Sequence, residues 1–552
     1  MNRTDLGKVH VAIPKLVEQL ESGKLDRREF LRTSTLLGLS AATAYAVAGK
    51  ITGEEFVPQA HAQGASGGTI RVGMAVMDIS DPAVYDWSEK GNLARQIIEP
   101  MVKIGTDDIA HPLLAESWEP NDDVSQWTFK LRQGIKWSNG DEFNADDVIA
   151  TFERWLDPAT GSSNQGRFIG LTVTEDGTTK QAPGAIERVD DYTVRFNLSS
   201  PMLAFPESLG DYPALITHRN FAADGANLIE NPIGTGPFNL ESFEIGAQAS
   251  FTRKDDYWNG AVALDGAQFI DLGSDPAAHL AALSSGQVDL LYVLDVSLLP
   301  ALQGMPNLKT YEKVTAITGV ARMRTTEAPY DNPQVRKAVQ LCLDREQIMN
   351  LAYQGYGTVG QDYHVSPIHP GYTELPPLEQ NVEEAKRLLA EAGHPDGIDL
   401  EINCVSDPKW ESDIAVVMAQ QLAPAGIRLN VNILPGGTYW DRWTTWPFSI
   451  TQWTTRPLAV QVLSLAYRTG VAWNETAYSN PEFDRLLDQA QATIDVEERK
   501  GLIKQLEEIM QADAIAVIPF WCKIFTASAQ KVQGFEYHFA REITFHDVSL
   551  SA

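Results

Sequence analysis

Leu114-Ala-Glu-Ser-Trp118-Glu and, a few residues on, Trp127-Thr-Phe-Lys-Leu-Arg-Gln-Gly-Ile-Lys-Trp137-Ser-Asn-Gly-Asp-Glu-Phe143-Asn-Ala-Asp-Asp147-Val form the stretch that decides the fold. Trp127 to Arg132 alternates apolar and polar at period two, the mark of a half-buried strand. Gly134 ends it in a turn. Asn144 offers an N-cap with Asp147 at the N3 position, which predicts a helix from Ala145 to Trp155.

Outward from this stretch the signals continue. Thr69-Ile-Arg-Val-Gly-Met-Ala-Val reads as the first strand of the body, and Asp191-Tyr-Thr-Val-Arg-Phe-Asn-Leu as another. The second half alternates helix and strand. Asn332-Pro333 is an N-cap with proline at N1 and predicts a helix to about Tyr353. Asn381 with Glu384 opens a helix that Gly393 closes. Leu400 to Val405 and Arg428 to Leu434 read as strands around a helix near Ser412–Leu422. Asn480-Pro481 and Asp495-x-x-Glu498 open two more. The pattern is mixed α/β, antiparallel early and β-α-β later.

The chain has 552 residues, with 43% hydrophobic and 21% charged, which is ordinary globular usage. Its 44 Lys and Arg against 73 Asp and Glu give −29, a surface that repels nucleic-acid backbones and anionic lipid. Cys342, Cys404 and Cys522 lie far apart without a CxxC pair, so no disulfide framework is expected. Residues 1–62 read as an address. Arg27-Arg28-x-Phe30-Leu31-Arg32 precedes an apolar run, Thr33 to Ala48, and Ala60-His61-Ala62 has the A-x-A form of a cleavage site. The paired arginines resemble a twin-arginine export signal. The run is too short to span a bilayer. Cleavage would remove eight basic and seven acidic residues, so the acidity belongs to the body.

Little local chemistry asks for an enzyme. Gly355-Tyr-Gly357-Thr-Val-Gly360 matches G-x-G-x-x-G, but the expected strand before and helix after are not there. His364 and His369, five apart on a loop, could form a metal pair, as in a metal-chelate carrier; polar loop residues are the plainer reading. The acidic pairs Asp107/Asp108, Asp122/Asp123 and Asp146/Asp147 read as solvated faces and caps. No catalytic residue, metal ligand set or cofactor is expected, although an exported cofactor enzyme stays open as an alternative.

The stretch quoted above, with Gly234-Thr-Gly-Pro-Phe, Arg253-Lys-Asp-Asp-Tyr257-Trp258, Val335-Arg336-Lys-Ala-Val…Leu343-Asp344-Arg345, Glu384 to Gly393 and Tyr478-Ser-Asn480-Pro, resembles the family 5 extracellular solute-binding proteins of ABC importers, the dipeptide and oligopeptide group. The resemblance runs from about residue 69 to 530. It implies an α/β, two-lobe periplasmic binding protein fold of type II, the large cluster with an extra subdomain in lobe 1. Lobe 1 would be 63–313, with the extra subdomain at about 98–230. Lobe 2 would be 314–525, and 526–552 would return to lobe 1. It implies a monomer that encloses a small solute by hinge closure and presents it to permease subunits at the inner membrane.

The resemblance also implies site residues. Members that bind peptides hold the α-amino group with a carboxylate in a GW-x-x-D stretch. The matching residues are Trp453, Thr454, Thr455 and Arg456, with Arg456 in the carboxylate's place. An ammonium ~4 Å from a guanidinium is repelled by about 4 kcal/mol at an effective dielectric of ~20. Arginine instead suits a carboxylate or phosphate. The expectation is therefore a peptide-like or anionic organic solute. Lys409 and Trp410 fall near the cationic anchor of peptide binders, and Met77, Asp78, Thr315 and Thr318 fall where the family lines its cleft. Trp440 and Trp443, three apart, are expected on one helix as core.

Overall fold

In the computed structural model, residues 3–53, 67–302 and 304–551 are described. Ala60-His61-Ala62 lies outside them. The chain divides into two units. Unit 1 comprises Met1–Tyr311, Gln491–Asp495 and Phe525–Ala552; unit 2 comprises Glu312–Ala490 and Val496–Ile524.

Unit 1 is built on the strand Thr69–Gly73. It pairs in parallel with Gly266–Ile270 on one side and Leu290–Leu291 on the other. The helix Pro276–Ser285 makes the crossover between those two flanks, capped at its start by Asp275, whose carboxylate accepts from the Ala277 N–H. Antiparallel strands Gln248–Arg253 and Phe238–Glu244 extend the sheet. Ile70 and Val72 are fully buried, as a strand with neighbours on both edges requires.

A second sheet in unit 1 contains the decisive stretch. Its order is Ala115–Pro120, Gln126–Leu131, Thr193–Asn197, Ile186–Asp190, all antiparallel. The helix Ala145–Leu156 forms as expected, with the Asn144 side chain accepting from the Asp146 N–H and the Asn144 N–H donating to Asp147. Phe152 of this helix meets Phe196 of the sheet at 4.7 Å and Trp155 stacks on Phe168 at 5.5 Å, so an aromatic core joins the layers. Asp147 corrects the expectation of a solvated acid. It is fully buried and also accepts from the Trp137 indole at 3.1 Å and the Arg219 guanidinium at 3.0 Å. One carboxylate thus ties the cap, a tryptophan and a neighbouring loop together.

Unit 2 holds a sheet in the order Ile427–Leu434, Ile398–Val405, Phe448–Trp453, Thr318–Met323, Ala516–Val517. The first three are parallel, with the helix Lys409–Leu422 as the crossover between 398–405 and 427–434. Thr318–Met323 runs antiparallel to Phe448–Trp453, so Trp453 lies opposite Thr318. The single helix expected to run to Tyr353 is two helices, Pro333–Leu341 and Arg345–Tyr353. The break has a local cause. The Asp344 carboxylate caps the second helix at the Gln347 N–H, and the Arg345 guanidinium takes the Gln340 and Leu343 carbonyls and the buried Asp362. Gly357 and Gly360 of the G-x-G-x-x-G match serve close packing: a Cβ would lie 2.6 Å from the Trp521 carbonyl oxygen at Gly357 and 2.1 Å from that of Ile518 at Gly360.

The N-terminal segment takes part in unit 1. Ile13–Glu21, Arg27–Leu36 and Ala41–Thr52 are helical, and Phe30 and Leu37 are fully buried. Among the described residues, no helix is long and apolar enough to cross a membrane. All three cysteines are buried and none forms a disulfide, and burial pushes the Cys342 thiol up to about 12.

Candidate functional site

Phe448–Trp453 is a central strand of unit 2, and the chain turns immediately after it. That turn carries Thr454, Thr455 and Arg456, so the four expected residues are presented together from a rigid strand end. Each is tied down. The Trp453 indole N–H donates to the Glu475 carboxylate at 2.7 Å. The Thr455 hydroxyl accepts from the Ala316 N–H at 3.0 Å. Arg456 Nη1 donates to the Thr454 hydroxyl at 2.5 Å and to the Thr455 carbonyl at 3.2 Å, which curls the turn around its own guanidinium.

Glu475 is the residue that sequence reading missed. It is buried and accepts from Arg322 Nε, the Thr451 hydroxyl and the Trp453 indole. Arg322, buried as well, also donates to the Ser449 hydroxyl and the Trp443 carbonyl. Burial raises the Glu475 carboxyl above its usual range, while Arg322 and the neutral donors pull it back. Its partners lie at sequence separations of up to 153, beyond any local motif.

The two histidines sit behind this turn. His369 Nδ1 accepts from the Ser366 N–H at 3.0 Å, so the proton is on Nε2, which donates to the Arg456 carbonyl at 3.0 Å. Both ring nitrogens are thereby used, which removes His369 from the metal pair considered above. His364 shares a hydrogen bond of 3.0 Å with the Tyr467 hydroxyl and meets the Trp453 ring edge-on at 5.5 Å. Burial, with the Arg456 charge and the neighbouring His369 ring adding to it, lowers the His364 pKa well below the ordinary histidine value. Among the described residues, no group of three or more His, Cys, Asp or Glu is placed to hold a metal ion.

Aromatic rings continue from the site. Trp453 contacts Trp473 at 5.9 Å, Trp473 contacts Trp443 at 5.8 Å, and Trp443 contacts Trp440 at 5.9 Å. Trp440 ends the helix Gly436–Trp440, and Trp443 lies beyond it, so the expected shared helix is not there. Both rings are half-buried rather than core.

The other expected residues are placed differently. Trp410 packs against Tyr353 at 5.6 Å and over Gly319, and its ring belongs to the core of unit 2 rather than to an aromatic platform. Lys409 is exposed on the first turn of its helix and paired with Asp413. The Thr315 and Thr318 hydroxyls donate to the Cys522 and Phe520 carbonyls, both at 2.7 Å, so both serve the backbone of the neighbouring strand. Met77 and Asp78 are in unit 1, where the Asp78 carboxylate accepts from the Ser80 N–H at 2.8 Å and closes a turn.

The wider similarities agree with the fold. The family model for bacterial extracellular solute-binding proteins, family 5 (middle), matches residues 110–474. The heme-binding protein A of Haemophilus influenzae is 28% identical over 469 residues, covering 80% of this chain and 84% of that one. The periplasmic oligopeptide-binding protein OppA of the same organism is 26% identical, covering 80% and 85%. Among solved structures, the periplasmic binding protein DppA of Helicobacter pylori in complex with a peptide superimposes with a TM-score of 0.77 at 24% identity, covering 88% of this chain and 99% of that one. AgaA of A. tumefaciens R10 in complex with agropinic acid gives 0.79 at 24% identity, covering 88% and 99%. The chain therefore belongs to the bacterial extracellular solute-binding proteins of family 5, the substrate-binding components of ABC importers.

Proposed function

We propose that the protein captures a peptide-like or anionic organic solute at the Trp453–Arg456 turn and delivers it to ABC permease subunits at the inner membrane. It works as a monomer in the periplasm, reached by the twin-arginine route, and catalyses no reaction. The observation that carries the solute class is Arg456 at the end of a central strand, where peptide binders of the family carry a carboxylate. A guanidinium there favours a ligand carboxylate or phosphate and disfavours a ligand ammonium. The relatives' names span oligopeptide and heme ligands, and the solved neighbours hold a peptide and agropinic acid, so the fold admits both kinds of solute. The engagement of both His369 nitrogens speaks against a metal-chelate cargo held by the histidines.

Native mass spectrometry of the purified protein, followed by a thermal-shift screen across dipeptides and opine-like acids, tests the reading. A ligand at 100 times its Kd stabilises by about 2.7 kcal/mol. Arg456→Ala should weaken an anionic hit by the ~1.5–3 kcal/mol of a charged hydrogen bond. An unchanged Kd by calorimetry removes Arg456 from the site. A stoichiometric flavin, haem or molybdenum cofactor in the purified protein would favour the enzyme alternative.

A further inference from the structure

The helix Arg27–Leu36 contains the paired arginines, and one face of unit 1 is shaped around it. Asp26 caps it, accepting from the Glu29 N–H at 2.8 Å. From Glu29 to Leu36 every residue is buried. Arg32, on the same helix as the pair, is almost inaccessible. Its guanidinium meets the Asp108 carboxylate, the Asp108 carbonyl at 3.3 Å, Glu29 at 3.2 Å and Glu207 at 4.0 Å. Burial opposes the charge on Arg32, but Asp108, Glu29 and Glu207 outweigh it and hold it protonated. Asp108 has φ +64, a left-handed conformation that non-glycine residues seldom adopt, and it turns both its carbonyl and its carboxylate toward the guanidinium.

Three further bonds fix the segment to the same face. The Trp118 indole donates to the Leu36 carbonyl at 3.0 Å, the Tyr45 hydroxyl donates to Asp107 at 2.9 Å, and His10 reaches the Asn121 carbonyl at 3.3 Å. The arginine pair itself is engaged. Arg28 donates to Asp108, and Arg27 donates to the Thr52 hydroxyl at 2.9 Å with its guanidinium over the Tyr45 ring.

We infer that unit 1 carries a docking surface for residues 27–36 of its own chain, centred on Asp108 and Glu207, and that its occupancy ties the arginine pair into contacts with Asp108 and Thr52 in the folded precursor. Recognition of the pair by an export receptor then competes with docking, and a weaker dock gives faster export. The second statement rests on the twin-arginine reading; the first does not.

Hydrogen exchange of the full-length chain separates them. Amides of residues 29–36 should exchange at least about 100-fold more slowly than in an unstructured peptide. Asp108→Asn keeps a residue type that tolerates the left-handed backbone and removes only the charge. It should lower that protection at least about tenfold, while amides of the strand Gln126–Leu131 keep theirs. Unprotected amides at 29–36 in the unaltered chain overturn the docking surface whatever the variants do. Protection untouched by both Asp108→Asn and Glu207→Gln overturns its centre. In a pulse-chase, Asp108→Asn should raise the rate of appearance of the processed chain. Protection as expected, with no export through the twin-arginine route, keeps the docking surface and removes the export reading.

Discussion

Two of the buried guanidiniums, Arg322 and Arg32, differ in where their partners lie. Arg322 belongs to the sheet of unit 2 and Glu475 to the segment after the helix Ala459–Ala466, and they hold Trp453 at the strand end. Arg32 and Asp108 join the N-terminal helix to unit 1, across a separation of 76 residues that includes the A-x-A motif. The chemistry is the same in both places: a desolvated ion pair that becomes costly when one partner is removed. The first pair is integral to the body. The second would lose its cation if the chain were cut after residue 62. If cleavage follows residue 62, as proposed, the same ion-pair chemistry serves as a permanent frame in one place and as a removable fastening in the other, and the position of the charges along the chain decides which.

Breaking the permanent pair should have the largest effect. Glu475→Ala leaves Arg322 buried without its carboxylate and frees the Trp453 indole. A loss of ~3–5 kcal/mol is expected by denaturant titration, together with loss of solute binding. A loss below about 1 kcal/mol would show that Glu475 frames nothing. A third buried acid sharpens the contrast, because it lacks a guanidinium. Among the described residues Glu507 accepts a long bond from the Thr373 N–H at 3.4 Å, and burial raises its pKa from 4.5 to about 8. The folded chain therefore binds this proton more tightly than the unfolded chain. The stabilisation is complete below about pH 4.5, falls as pH rises through the interval and is lost above about pH 8. Between these limits the unaltered protein should lose up to a few kcal/mol relative to Glu507→Gln, read as diverging melting temperatures. Parallel melting curves would place an ordinary carboxylate at this position. The smallest effect belongs to a pair with no burial to amplify it. Lys409→Ala, which breaks the exposed contact with Asp413, should change stability by less than about 0.5 kcal/mol and leave solute binding unchanged. A tenfold loss of affinity would return Lys409 to the site.

The fold was legible where short-range signals agree with burial. The cap at Asn144, the strand Gln126–Leu131 and the crossover around Lys409–Leu422 follow from spacing and turn residues. The family stretch singled out Trp453 to Arg456 in the sequence, but not the strand Phe448–Trp453 that presents them. What could not be read were side chains whose partners lie far along the chain. Asp147 looked like a surface cap because its Trp137 and Arg219 partners are not at helical spacing. Glu475 carries no motif at all; its role exists only once strands 318–323 and 448–453 are paired. The helix break at Cys342–Asp344 was missed because an N-cap inside an apolar period looks like an ordinary helical residue until Arg345 and Asp362 are placed.

The tautomer of His369 carries a consequence in terms of acid. The Ser366 N–H points at Nδ1, and the Arg456 carbonyl receives the proton on Nε2. A second proton on the ring would set donor against donor at Ser366 while leaving the Arg456 bond in place. The Ser366 contact thus depends on the Nδ1 lone pair and the Arg456 contact on the Nε2 proton.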